Sequence, residues 1–363
     1  MSGRSSGVDA IAPAFERTKS QLFMPFRFGH WLRLAVVCLL TGEVTGGGGG
    51  WGGANRFNFP PPQGSPPGSD FLTLLDLPFK QSPDLLIWLL MGLVALILLV
   101  LVMIYVSSLY RFILFDAVLK NRCELGEGWR RWQPQGSSYF LWQVGFGLAS
   151  LVALGAIVGG PILLAWRAGV FRSPDRHFGL LLIGGVVVFC LFLGALILSV
   201  LGSLFAKDFV VPVMALENRG VLEGWQRVLP MLGEEKGAYV VYVLMKIVLA
   251  IGSALLFGII DFIVLIALLV PLGVLGVAIF FLAKGAGLAW NPVTIGVAVV
   301  AGSVAILLIL FVISFVSSPA MIFFQSYALH FWGARYAPLG TLLATPPPPP
   351  PASPPAAAPA PIT

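Results

Sequence analysis

Residues 84–110 form a nearly unbroken apolar run, and the stretches 138–159, 178–206, 238–258, 259–283 and 293–318 have the same character. Each holds the roughly 20 apolar residues that a helix needs to cross a hydrocarbon core. Lipid supplies no hydrogen bonds, so segments of this kind must satisfy their own backbone groups, as α-helices do. A shorter run over 28–43, charged at both ends, reads as a further span. The sequence therefore predicts an all-α, polytopic transmembrane helical bundle. It has six spans if 238–283 counts once, and seven if it counts twice.

Composition agrees. Of 363 residues, 58% are hydrophobic and 10% charged, against roughly 25% charged in soluble domains. The net charge of +6 would suggest nucleic acid in a soluble protein. Here the basic residues flank apolar spans, so membrane lipids are the expected partners, with another membrane protein as a further option, and no nucleic acid is expected. Cys38, Cys123 and Cys190 are far apart and match neither a disulfide framework nor a zinc site. Residues 1–20 are polar and lack the short apolar core of a signal peptide, so the first apolar run is read as a retained anchor.

The chain divides into a polar segment (1–13), a transmembrane domain (14–335) and a Pro/Ala-rich tail (336–363) expected to be disordered. Residues 44–82 are dense in Gly and Pro and read as an outer loop. Within the domain a block recurs. FDAVLKNRCELGEGWRR (115–131) answers VPVMALENRGVLEGWQR (211–227), with one residue of length difference between the matched words. Asn121-Arg122 matches Asn218-Arg219, and Glu127-Gly128-Trp129 matches Glu223-Gly224-Trp225. Arg131 then falls where Arg227 does. A fainter third copy is split between Ala14–Arg17 and Ala328–Trp332. The pattern predicts three units, about 14–122, 123–219 and 220–335, each an interfacial elbow followed by two spans. The elbows mix aromatic and basic residues, as in Phe15, Arg17, Lys19, Phe23 and Arg27, which suits a segment lying among headgroups.

If the elbows share one side, that side carries fifteen Lys and Arg and the opposite loops six (Arg56, Lys80, Arg167, Arg172, Arg176 and Lys284). The excess places elbows and N-terminus in the cytoplasm. Three units also require a cytoplasmic C-terminus, which conflicts with two full spans in 238–283. A broken or re-entrant segment around Asp261 and Pro271 would reconcile them.

Chemistry is sparse. No catalytic, cofactor-binding or metal-ligating set is expected. His30, His177 and His330 are scattered, and TGGGGGWGG lacks the Gly-Lys-Ser/Thr ending of a phosphate loop. Lys246 and Asp261 are the charges inside apolar runs and are candidate intramembrane polar residues; snorkelling to the interface is the plainer account of Lys246. Asp116 and Asp208 stand near Arg111 and Lys207, consistent with interfacial ion pairs. The remaining candidates are Arg17, Arg122, Trp129, Arg131, Arg219, Trp225 and Arg227. They could bind anionic headgroups through paired hydrogen bonds or simply set the elbows.

The opening AFERTKSQLFMPFRFGHWLRLAVV and the paired NR…EGW elbows resemble polytopic bacterial proteins of uncharacterised function, grouped with the membrane domain attached to some glycerophosphodiester phosphodiesterases. The resemblance covers about 14–335 and implies a bacterial inner membrane. The catalytic phosphodiesterase domain is missing, so that activity is not implied. The sequence thus leads to a non-enzymatic membrane scaffold, accessory or lipid-interacting protein. The alternative is a permease-like transporter of a lipid or small hydrophobic solute, which would line a polar path with Lys246 and Asp261.

Overall fold

A computed structural model describes residues 6–24, 28–42, 83–120, 123, 125–170, 177–285 and 291–344. All regular structure among them is helical. Two short helices open the chain, α1 (Ile11–Phe23) and α2 (Phe28–Leu40), followed by the long α3 (Pro83–Lys120). A short α4 (Leu125–Arg131) leads into α5 (Gln133–Arg167). Helix α6 (Phe178–Phe205) passes through a π-helical turn (Ala206–Val210) into α7 (Val211–Glu217). Then come α8 (Val221–Glu234), α9 (Lys236–Gly285), α10 (Pro292–Gly333) and α11 (Ala337–Ala344).

Local chemistry sets several boundaries. Asn291 and Thr294 exchange side-chain and backbone hydrogen bonds in a capping box, with Pro292 in the first turn of α10. Helix α7 ends where Asn218 takes the left-handed conformation, φ 54°. Asn tolerates that conformation because its short polar side chain bonds locally. Arg219 then donates its amide to the Met214 carbonyl and closes the turn.

Five helices, or continuous helical runs, are long and apolar enough to cross a membrane: Leu89–Lys120, Gln133–Arg167, Phe178–Glu217, Lys236–Gly285 and Val293–Gly333. The stretch 238–283, expected to hold two spans or a break, is instead a single helix, α9, of 50 residues. Neither Asp261 nor Pro271 interrupts it, because an apolar i→i−4 ladder tolerates the one hydrogen bond that Pro removes. Helix α2 has 13 residues, about 20 Å at 1.5 Å per residue, which is short of the roughly 30 Å hydrocarbon core.

Burial is concentrated at one end of the bundle. The core joins Leu109–Val118 of α3, Tyr139 of α5, Ala206–Met214 around the π turn, Tyr239 and Tyr242 of α9, and Ile322–Trp332 of α10. The most apolar windows of the spans lie outside it; none of the first four is buried and 6% of the α10 window is. The short helices dock on this collar. Helix α1 packs on α10, α4 on α3, and α8 on the π turn. A Cβ on Gly128 would sit 3.1 Å from Ile113, and one on Gly224 would sit 2.8 Å from Val210. Two edge-on aromatic pairs recur beneath these elbows, Phe112 with Tyr139 (6.1 Å) and Phe209 with Tyr239 (5.5 Å).

The N-terminal segment read as polar (1–13) joins this core from Gly7 onward. A Cβ on Gly7 would lie 3.2 Å from the Tyr242 backbone, and Ala10 is buried. Residues 337–344, assigned from sequence to the disordered tail, form α11. It folds back on α10 and buries Leu339, with Gly333 and Gly340 allowing the backbones to meet. Residues 345–363 of that tail, the 44–82 loop and Asn121-Arg122 lie outside the described residues.

Candidate functional site

The π turn aims a charge inward. Asp208 is 6% exposed and Lys246 of α9 is 6% exposed, and they form an ion pair at 2.5 Å. Tyr242, one turn before Lys246, donates its hydroxyl to the same carboxylate oxygen at 2.9 Å. Tyr327 of α10 stacks on Tyr242 at 5.2 Å and donates to the Gly7 carbonyl at 2.9 Å. One polar string therefore runs from the N-terminal segment through α10 and α9 to the π turn. An inserted residue of π-helix re-aims side chains, and such turns recur at functional sites. The Lys246 charge is met by Asp208 where it lies. Asp208 takes Lys246 as its partner, and Asp116 pairs with Lys120 at 2.7 Å.

Asp261 has a different setting. Ser317 of α10 donates to its Oδ2 at 2.7 Å, and its Oδ1 is buried without a hydrogen-bond partner. Lys246 is 15 residues away on the same continuous helix, about 22 Å along the axis. The two candidate intramembrane charges do not come together.

The chain belongs to a family of unknown function (DUF7544), matched over residues 5–342. That range takes in both polar sites and the short helices α1, α4 and α8. No curated protein and no solved structure matches the chain.

The elbow candidates divide by environment. Arg17 donates to the Val118 and Leu119 carbonyls at 3.2 and 2.8 Å, and Gln21 donates to Val118 as well. These carbonyls end α3 and have no partner within the helix, so Arg17 acts as a cap across helices. Burial holds its pKa below the ordinary guanidinium value. Trp129 meets Tyr105 and Tyr110 edge-on. Trp225 leans on Trp142, with centroids 6.0 Å apart, and its indole nitrogen is buried without a partner. Arg131 is exposed and lies over Trp132 at 5.0 Å. Arg219 and Arg227, also exposed, both reach Glu217, at 3.1 and 3.7 Å. Arg122 lies outside the described residues.

Several participants lie outside the candidate residues named from sequence. Glu217 accepts from Tyr336 at 2.6 Å, which ties α11 to α7. Burial, and then the bond to Glu217, hold the Tyr336 hydroxyl above its ordinary pKa. Arg335 donates to Glu235 at 3.0 Å and lies over the Phe331 ring at 4.0 Å. Asn218, half of a repeated word, makes a left-handed turn and accepts from Gln135. Among the described residues no three His, Cys, Asp or Glu gather as a metal site.

Proposed function

We propose that the chain is a non-enzymatic, lipid-interacting scaffold or accessory protein of a bacterial inner membrane, crossing it six times as three elbow–span–span units. The observation that carries this reading is the division of burial. The elbows and helix ends share one core, while the apolar windows of five spans stay open. Acyl chains are the solvent for such faces. The basic residues Arg131, Arg219 and Arg227 then stand on the elbow side, at the level where anionic headgroups lie.

The six-crossing topology has independent support. Helices α5/α6 and α9/α10 each leave the collar and return to it. Helix α3 reaches the collar with its C-terminal end, which favours one further crossing between α1 and Pro83. The excess of Lys and Arg on the elbow side supports a cytoplasmic collar, with both termini on that side. The matched contacts of Gly128 and Gly224, and of the Phe112/Tyr139 and Phe209/Tyr239 pairs, favour the three-unit reading. The likeness to the membrane domain attached to some phosphodiesterases fits a lipid-facing role without their chemistry. The permease alternative calls for a path lined by Lys246 and Asp261, and each instead has its own partner on another helix.

Native mass spectrometry of gently released protein tests this reading. We expect an anionic phospholipid to be retained, and lost in the R131Q/R219Q/R227Q variant with folding intact. Retention unchanged by those substitutions, or no retained lipid at all, overturns the headgroup assignment.

A further inference from the structure

The carboxyl of Asp261 is the sole charged group between Lys246 and Lys284. Its Oδ1 is shut away from solvent with nothing to bond, and its Oδ2 has one neutral donor, the Ser317 hydroxyl. Ser317 itself is buried, 6% exposed. Helix α10 contributes three serines close to Pro319. Ser314 donates to the Ala35 carbonyl of α2, Ser317 to Asp261, and Ser318 to the Phe315 carbonyl. That last carbonyl is the one Pro319 leaves without an amide, and Trp31 of α2 donates to it as well. The titratable groups on these helices include His30 and Cys38 of α2 and Tyr327 and His330 of α10, with Arg33 of α2 exposed and Lys246 four turns away on α9. His330 is bonded within its own helix to Ser326, and Lys246 is held by Asp208.

An ionised carboxylate within an apolar span needs several donors or a cation, and among the described residues Asp261 is offered one neutral donor. The unmatched oxygen has room in its chemistry for one further group, a proton. We propose that Asp261 is a proton-binding site within the α9–α10 pair, occupied at neutral pH and closed by Ser317. Its occupancy controls the joint between α9, α10 and α2. The neutral acid lets the serine cluster hold the three helices together, and loss of the proton places an uncompensated charge at that junction. This inference does not rest on the lipid-scaffold reading.

A hydrophobic carbodiimide reads the site directly. It reacts with a protonated carboxyl: the carboxyl oxygen bonds to the carbodiimide carbon and the acid proton moves to nitrogen. Rearrangement then leaves a stable N-acylurea on the residue. The full-length protein in phospholipid vesicles, treated at neutral pH and mapped by peptide mass spectrometry, is expected to carry the adduct at Asp261. Asp116 and Glu217, which are ion-paired, serve as internal references and are expected to react several-fold less. Reactivity at Asp261 should fall as pH rises. In S317A, which removes the donor that favours the ionised form, the fall should move to higher pH. D261N should lose the adduct. Reaction at Asp261 no greater than at Asp116 overturns the proposal. So does protection of Asp261 by sodium chloride relative to choline chloride at equal pH, which would make the site one for a metal cation.

Discussion

Replacing Lys246 by Met leaves the Asp208 carboxylate buried, with Tyr242 as its remaining donor among the contacts described above. Removing one member of a buried pair costs about 3–5 kcal/mol, because the other charge stays without compensation. We expect K246M to lower the thermal midpoint in detergent sharply, and D208L/K246M to recover most of the loss, since two apolar groups need no partner there. A double variant no better than K246M would show that the site depends on the charges themselves. Lys246 was visible in the sequence as a charge in an apolar run. Its partner was not, since Asp208 is 38 residues away on another helix and borders Lys207. Only the meeting of the π turn with α9 joins them. Arg17 shows the same limit. Its motif suits a headgroup ligand or an elbow-setting residue, and its guanidinium caps α3 from 101 and 102 residues away, a partner that the motif does not name. Hydrogen bonds from a charged donor are worth about 1.5–3 kcal/mol, so R17A is expected to destabilise by that order, measured by thermal unfolding.

At the scale of the element, the elbows dock through small residues. A Cβ at Gly224 would press 2.8 Å from Val210, while one at Gly233 on the same helix meets nothing within 4 Å. Overpacking of this kind costs about 1–3 kcal/mol. G224A should therefore destabilise by that order, and G233A should fall within about half a kcal/mol of the parent, as surface changes do. Equal effects would mean that α8 does not pack on the π turn as described. The helices themselves were largely legible, because apolar runs in a lipid solvent leave the backbone no alternative. Their lengths were not. Asp261 and Pro271 read as a break, yet nothing forces a helix to end at a single acid or a single Pro when the flanking turns are apolar. Helix α11 was hidden by its surroundings: APLGTLLA borders a proline tract, and its order comes from Leu339 and Gly340 packing on α10.

For the molecule as a whole, the collar gathers α1 and the end of α10 on one side, so both ends of the described chain share a face. Reporter fusions active only in the cytoplasm are expected to be active at both the N- and C-termini, and silent when inserted between Arg167 and Phe178. Opposite readings at the two termini would overturn the even number of crossings. A second consequence follows from the collar standing at one end only. Each span is clamped at its base, and its most apolar window buries little or nothing against the rest of the fold. Helices accommodate a change in bilayer thickness by tilting, and a clamped rod converts tilt into displacement at its free tip. Spin-label distances between the outer ends of α6 and α9 are therefore expected to differ between short-chain and long-chain lipid vesicles. Distances between labels on α4 and α8 should hold constant, as in an instrument whose pointer moves while its mounting stays fixed.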